Sequence, residues 1–350
     1  MPTSVFLNGR FFTLDAAASE RAALSPFDAG FQHGVGLFET MLGGVNDAGD
    51  TWCMRIDEHL SRLAESARIL GLSDSLRVGA LAEAIAETIR RSGLPRARIR
   101  LTLSGGDLNL LTRASSGSSA KVEHDPTILI VAQQAVDYPA GMFDRGVAVT
   151  IADARANPLN PMEGHKTLNY WWRLRELQAA SAKNAAEAIV LSVTNHLVGG
   201  CVSNLLLVND GEILTPIARG EEGGGNTAHL QPTLDDPDAP PMPVKTVKGG
   251  YLPSPVLPGI ARAWALDWAA DQGINVKRQM LSVADLLEAD EVLLTNSSWG
   301  VLSVVKVEAS AVGGGGGGGG GGDAVPGPIG TKLAAAWRSL VDEYASGAAA

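Results

Sequence analysis

Lys166 lies in the stretch EGHKTLNYWW, residues 163 to 172, between a histidine and an apolar, aromatic run. A lysine beside Leu168, Tyr170, Trp171 and Trp172 has two readings. It lays its methylene stem on the aromatics and keeps its ammonium in water, or it is desolvated and held neutral as a nucleophile for a carbonyl carbon. Three other stretches carry groups of matching use. GIARAWALDW opens a helix directly after Pro258 and Gly259, so the N–H groups of Ile260 and Ala261 point out of its first turn, a natural place for a phosphate. An ordinary Pro-Gly helix start is the plain alternative. HLSRLAESA sets Arg62 on a helix among leucines, where it binds an anion or pairs with Glu58 four residues earlier. LTNSSWG ends a strand with the hydroxyls of Ser297 and Ser298, or is a plain turn. An amine, a guanidinium, a helix N-terminus and hydroxyls are together the parts that hold a phosphorylated aldehyde as a Schiff base.

These groups need a framework. SVFLNGRFFTL reads as a β-hairpin turning at Asn8-Gly9. MRIDEHLSRLAESARILGL has apolar residues at helical spacing and a glycine stop at Gly71, and LRVGALAEAIAETIRRSGL repeats the pattern. ARIRLTLSGG alternates like a half-buried strand, and TILIVAQQ is an apolar strand. This first part is expected to be an α+β domain, residues 1–136, of hairpins packed on helices. Around VDYPAGMF the patterning lapses, which sets an interdomain link at 137–145. Beyond it come GVAVTIAD (strand), KTLNYWWRLRELQAASAKNA (helix), EAIVLSV (strand), CVSNLLLVNDGEILTP (hairpin with an Asp-Gly turn), GIARAWALDWAADQG (helix), INVKRQML (strand), VADLLEA (helix) and DEVLLTNSSWGVLSVVKVE (strands). Residues 146–350 are thus expected to form a larger, mixed α/β domain. Residues 218–255, rich in Gly, Pro and Asp, read as a long insertion. Residues 313–322 are ten consecutive glycines, a flexible surface loop rather than a phosphate cradle, because no strand-to-helix context surrounds them.

Composition narrows the function classes. The 350 residues suffice for two domains. A formal net charge of -10 leaves no basic footprint for nucleic acid or an anionic membrane. Two cysteines and six scattered histidines make neither a disulfide framework nor a metal-ligand spacing. No apolar run has the length of a membrane span. The N-terminal residues lack the basic and apolar segments of a secretory leader, so a cytoplasmic location is expected.

The order and wording of the motifs resemble the class IV aminotransferases, the pyridoxal-phosphate enzymes of fold type IV. That family includes branched-chain aminotransferases, D-amino acid aminotransferases and 4-amino-4-deoxychorismate lyase. SPFDAGFQHGVGLFETM is similar to its N-terminal block and RIDEHLSRLAESARIL to its phosphate-arginine helix. HKTLNYWW is similar to its lysine block, GCVSNLLLVNDGEILTP to its central hairpin, LPGIAR to its phosphate helix and ADEVLLTNSS to the last strand of its site. The resemblance implies pyridoxal 5′-phosphate as cofactor, a Schiff base on Lys166, and amino-group transfer between an amino acid and a 2-oxo acid. It further implies that Arg62, the backbone N–H groups of Ile260 and Ala261, and Ser297 hold the phosphate, and that Tyr170 stands near the cofactor's phenolic oxygen. Arg100 matches an arginine that holds a substrate carboxylate in some members, and His33 and Phe38 fall where the family lines its substrate pocket. The family usually has threonine where Ala261 stands. A homodimer is implied as well.

One departure matters. The family's hairpin carries a glutamate that faces the pyridine nitrogen and keeps it protonated. Here the segment reads HLVGGCVSN, and Gly199 takes that place. Three readings follow: transamination at reduced rate, chemistry less dependent on the ring nitrogen such as the lyase reaction, or cofactor binding with weak catalysis. A further alternative is that another carboxylate enters the gap. If the missing carboxylate limits the rate, Gly199→Glu is expected to gain transaminase activity.

Overall fold

The computed structural model describes residues 3–14, 22–107, 126–222, 252–313 and 326–347. Most of the expected 218–255 insertion and of the 313–322 glycine tract lies outside these residues. The chain falls into two compact units, one of Met1–Tyr138 with His165–Tyr170 and Ala336–Ala350, the other of Pro139–Gly164 with Trp171–Ala335.

The first unit is a six-stranded sheet backed by helices, in the order β2-β1-β6-β5-β3-β4. Its strands are β1 (Thr3–Leu7), β2 (Arg10–Leu14), β3 (Gly36–Val45), β4 (Thr51–Cys53), β5 (Ala97–Ser104) and β6 (Ile128–Gln134). The helices are α1 (Ala29–His33), α2 (Ile56–Ile69) and α3 (Val78–Ser92). Asn8 and Gly9 both have positive φ, 45° and 85°, as the two-residue hairpin turn between β1 and β2 requires. Alternation along β5 sends Ala97, Ile99, Leu101 and Leu103 into a core with Leu60, Leu63 and Ala67 of α2 and Leu81, Ile85 and Ile89 of α3. Arg98, Arg100 and Thr102 therefore stand on the opposite face of the sheet. Both long helices end at glycines of positive φ, Gly71 (67°) and Gly93 (60°), a backbone conformation that is costly for residues with a β-carbon.

The second unit is built on a sheet of order β12-β11-β10-β13-β14-β7-β8-β9, with β15 paired to β14. Its strands are β7 (Val147–Ala156), β8 (Glu187–Ser192), β9 (Leu197–Gly200), β10 (Asn204–Asn209), β11 (Glu212–Pro216), β12 (Val276–Gln279), β13 (Glu291–Asn296), β14 (Gly300–Val307) and β15 (Ser310–Ala311). The helices are α4 (Ala140–Asp144), α5 (Trp171–Ala182), α6 (Ile260–Asp271) and α7 (Val283–Glu288). Parallel and antiparallel pairs mix: β7 runs parallel to β8 and β14, whereas β10 is antiparallel to β11 and β13. The expected Asp-Gly turn between β10 and β11 is present, with Asp210 and Gly211 at φ 48° and 77°.

The sequence pattern does not predict α1, β3, β4, α4 or β15, and two further elements depart from it. The helix expected over 166–185 starts only at Trp171, because residues 166–168 spend their backbone groups on β3 instead. A further helix, α8 (Pro328–Ser346), is absent from the elements the pattern predicts. It buries Leu333, Trp337 and Val341, which recur every four residues behind Pro328.

Candidate functional site

In the first unit, β4 covers only the distal part of one edge of β3, pairing Gly43–Val45 with Thr51–Cys53. The lysine stretch fills the proximal part of that edge. Phe38 N–H donates to the Lys166 carbonyl (2.9 Å), Leu168 N–H donates to the Gly36 carbonyl (2.9 Å), and Thr167 bridges Leu37. Lys166 is thus fixed by main-chain bonds on a sheet edge, not on a helix surface. Its Nζ lies 4.5 Å from the centre of the Phe38 ring and 5.7 Å from that of Tyr170. Those two rings meet edge to face at 5.2 Å. The Arg100 guanidinium sits 3.8 Å from the Phe38 ring centre. Phe38 is therefore the hub that gathers Lys166, Tyr170 and Arg100. Burial, then the charge of Arg98, pushes the Arg100 pKa down, and among the described residues no carboxylate pairs with it. A half-buried guanidinium without a counter-charge, beside an amine, suits a carboxylate ligand. His33 is exposed in the last turn of α1.

The other face of β3 carries Glu39, 1 % exposed. Its carboxylate accepts from Arg62 Nε (2.9 Å) and Nη2 (2.6 Å) and from His59 Nδ1 (2.7 Å). The ion pair considered for Arg62 with Glu58 is not formed, since Glu58 pairs with Arg55 at 2.8 Å. His59 and Arg62 are three residues apart on α2, so both reach the same strand residue. Burial works against ionisation of Glu39, but Arg62 and then His59 hold its carboxyl down at about 2. Burial pushes His59 down, against the pull of Glu39 and with the charges of Arg62 and Lys166 adding to it. The neutral imidazole then donates from Nδ1, because an ionised carboxylate only accepts. Both groups bind fewer protons folded than unfolded, so acid weakens the fold. For His59 the loss begins as pH falls through 6.5, its ordinary value. For Glu39 it begins below 4.5 and is complete only near 2. The Glu39 contribution is on the order of 3 kcal/mol. Urea unfolding as a function of pH is expected to show both limbs, with the lower one flattened in Glu39→Gln. An unchanged lower limb in that variant counts against the assignment.

In the second unit, three segments are tied together by two asparagines. Asn204, at the start of β10, donates through Nδ2 to the Leu257 carbonyl (2.8 Å), two residues before the N-cap of α6. A β-carbon on Gly259 would strike the Asn204 carboxamide, so the glycine before α6 is required by this close approach. Asn296 accepts from Ser298 N–H (2.9 Å) and Trp299 N–H (3.0 Å), shaping the turn that carries Ser297, and donates to the Val202 carbonyl (3.4 Å). The start of α6, the Ser297 turn and the 199–203 hairpin are thus neighbours. No side chain caps the first turn of α6, which begins at Ile260 and Ala261. Its backbone N–H groups, with the Ser297 hydroxyl, form a donor set of the kind that phosphate oxygens accept from. Arg262, 2 % exposed, secures this turn from behind through Thr215 Oγ1 (3.0 Å), the Pro216 carbonyl (3.0 Å) and Glu221 (2.8 Å).

Gly199 has φ 153°, and a β-carbon there would lie 2.8 Å from the Ser203 carbonyl oxygen. The position is closed to a side chain as the hairpin stands. The carboxylate buried at this hairpin is Glu187, 0 % exposed, on β8. It accepts from Ala188 N–H (3.0 Å), Cys201 N–H (3.0 Å), Val202 N–H (3.1 Å) and Ser203 Oγ (3.0 Å). Four donors fill its acceptor capacity, so it shapes the hairpin and has nothing left for a ring nitrogen. Burial also pushes the Cys201 thiol up to about 12, which makes it inert. Gly199→Glu is consequently expected to lose about 1–3 kcal/mol of stability and to gain no transaminase activity, even where the missing carboxylate limits the rate. A thermal melt and a rate measurement on that variant check this; a faster enzyme of unchanged stability would refute it.

In the first unit, the amine of Lys166 beside two aromatic rings is of the kind that reacts with a pyridoxal-type aldehyde. In the second unit, the start of α6 and the Ser297 turn offer donors of the kind a phosphate takes, and position 199 supplies no carboxylate. Sequence reasoning missed Glu39, His59, Glu187 and Asn204. A glutamate at strand spacing beside Phe38, and a glutamate opening a wholly apolar strand, are the signals that mark the first and third. Among the described residues no group of His, Cys, Asp and Glu is arranged to hold a metal, and no helix is long and apolar enough to cross a membrane.

A sequence profile of the family described as amino-transferase class IV matches residues 36–223 and 246–307. The chain is 26% identical over 313 residues to a putative branched-chain-amino-acid aminotransferase of Methanocaldococcus jannaschii, covering 88% of this chain and 89% of that protein. It is 22% identical over 306 residues to an aminodeoxychorismate lyase of Bacillus subtilis, covering 87% and 86%. The solved structure of a T.th. branched-chain amino acid aminotransferase with pyridoxamine 5′-phosphate is similar in fold, with a TM-score of 0.73 and 22% identity over 99% of this chain and 95% of that one. An antiparallel sheet followed along the chain by a mixed sheet, each with its helices, is the fold type IV architecture. A match that spans both units establishes that the chain belongs to the class IV amino-transferase family.

Proposed function

We propose that this protein is a pyridoxal 5′-phosphate-dependent aminotransferase that moves an amino group between an amino acid and a 2-oxo acid. The observation that carries the reading is the fixed place of Lys166 on the β3 edge, with its Nζ over Phe38 and Tyr170 and the Arg100 guanidinium on the same Phe38 ring. When bound, the cofactor supplies an electron sink for the bond broken at the substrate's α-carbon. In the first unit, Lys166 would hold it covalently through the amine and then, when displaced by substrate, carry the α-proton. Arg62 would bond its phosphate, Tyr170 would stand by its phenolic oxygen, and Phe38 would wall off water from the amine. Arg100 would take the substrate carboxylate. In the second unit, the N–H groups of Ile260 and Ala261 and the Ser297 hydroxyl are the phosphate donors this reading assigns. His33 would line the substrate approach. A cytoplasmic homodimer fits the same reading.

The test is borohydride trapping of the protein with pyridoxal 5′-phosphate, followed by peptide mapping and a screen of amino donors. A stable label on Lys166 with half-reactions for amino acids supports the proposal. A label elsewhere, or none, sinks it. Gly199 favours a second reading, the lyase reaction on 4-amino-4-deoxychorismate, which leans less on a protonated ring. Pyruvate and 4-aminobenzoate formed from that substrate, without half-reactions for common amino acids, would select it. A label on Lys166 with neither reaction would leave a cofactor-binding protein of weak catalysis.

A further inference from the structure

In the first unit, Glu39, His59 and Arg62 form a buried, hydrogen-bonded cluster. We propose that Glu39 is a positioning residue: it fixes the Arg62 guanidinium so that Arg62 meets a cofactor phosphate in one orientation, with His59 locking Glu39 in turn. The inference rests on the reading of Arg62 as a phosphate ligand and adds to it a residue that touches neither cofactor nor substrate. Three observations carry it. Glu39 engages Arg62 on two nitrogens at once, Nε at 2.9 Å and Nη2 at 2.6 Å, which fixes the plane of the guanidinium as well as its place. The third bond, from His59 Nδ1 at 2.7 Å, comes from the same helix one turn earlier, so Glu39 is held from two points of α2 and cannot swing with Arg62. Glu39 itself belongs to a strand whose next residue toward the N-terminus, Phe38, carries the ring under Lys166. One dipeptide of β3 therefore indexes both the amine and the guanidinium to the same backbone.

The physical effect is preorganisation. A free arginine loses several rotatable bonds of freedom when it grips an anion. Here that loss is met on folding. Of the five N–H bonds of the guanidinium, the Glu39 fork engages two, on adjacent nitrogens, which sets its plane. Glu39 also offsets the positive charge of Arg62, so the phosphate is recognised by directed hydrogen bonds more than by net charge.

The experiment compares the affinity of the cofactor-free full-length protein for pyridoxal 5′-phosphate and for pyridoxal, followed by absorbance titration. The readout is the ratio of the two affinities, which isolates the phosphate. Wild type is expected to prefer the phosphorylated form strongly. Glu39→Gln is expected to lower that ratio about tenfold, the value of one charge-assisted hydrogen bond, while pyridoxal itself binds within about twofold of wild type. In an Arg62→Lys background, Glu39→Gln is expected to change the ratio no further. Should Glu39→Gln fail to fold, Glu39→Asp keeps the charge and shortens the reach, and is expected to lower the ratio by about threefold or more. Equal weakening of both ligands would mean that Glu39 serves the fold alone and would overturn the inference. So would an unchanged ratio in a folded variant. A wild type with no preference for the phosphorylated ligand would overturn the reading of Arg62 itself, an outcome distinct from either.

Discussion

Lys166→Ala leaves a folded protein that neither traps pyridoxal 5′-phosphate under borohydride nor transfers amino groups at a measurable rate: that is the largest functional effect expected of any single substitution here. The fold survives because residues 166–168 are held through the Phe38 N–H, the Lys166 carbonyl, the Leu168 N–H and the Gly36 carbonyl, all main-chain groups that alanine retains. What disappears is the amine over Phe38 and Tyr170. Loss of the group that carries the α-proton alone costs on the order of 10²–10⁴ in rate, and loss of the covalent attachment adds to it. Lys166→Arg is expected to fail equally, since a guanidinium keeps its proton at any working pH and is no nucleophile. Single-turnover absorbance measurements with saturating cofactor decide the matter. Turnover by Lys166→Ala within about tenfold of wild type, well short of the range for a lost acid–base group, would remove Lys166 from the chemistry.

Glu187→Ala is expected to produce the largest loss of stability. The side chain is 0 % exposed and accepts four hydrogen bonds, three of them from backbone N–H groups. Its removal leaves the N–H groups of Ala188 and Val202 and the Ser203 hydroxyl without this acceptor, while the Cys201 N–H keeps the Ala188 carbonyl (3.2 Å), and it opens a cavity between β8 and the hairpin. With about 1–3 kcal/mol for each buried donor left unsatisfied, and partial rescue by water, the loss is on the order of 5 kcal/mol. That is a large share of the stability of an ordinary domain. Glu187→Gln is expected to fall in between, because its amide nitrogen must face an N–H group that needs an acceptor. Equilibrium urea unfolding measures both. A loss below about 1 kcal/mol for Glu187→Ala, less than one stranded donor costs, would mean that the hairpin finds other acceptors. The hairpin also borders the Ser297 turn and the start of α6, so phosphate affinity is expected to fall together with stability.

Local sequence determined most of the elements and their ends. Asn8-Gly9 and Asp210-Gly211 sit at positive φ where two-residue hairpins demand it. Gly71 and Gly93 stop α2 and α3, and the alternation of β5 sorts its core face from its arginine face. Such signals are legible because they depend on residues within one or two turns of each other. Lys166 and Arg62 were likewise marked as candidates by type and by motif. Their surroundings were not legible. The stretch after Lys166 has the composition of a helix, yet 166–168 extends along β3, because the open proximal edge of that strand offers backbone partners that no local pattern reports. Arg62 had a local partner in Glu58, four residues away and exposed to water. It takes Glu39 instead, 23 residues distant, because a buried, two-point, charge-assisted pair outweighs a solvent-screened one. Gly199 shows the same division. Its lack of a side chain is a fact of sequence. That the hairpin has no room for one, and that the nearby carboxylate of Glu187 is already saturated, follows only from the approach of the Ser203 carbonyl and of β8 in three dimensions. Sequence thus set the inventory of reactive groups and the regular elements that bear them. Tertiary structure decided which groups meet, because hydrogen-bond partners and charges far apart along the chain compete only once packing has brought them within reach.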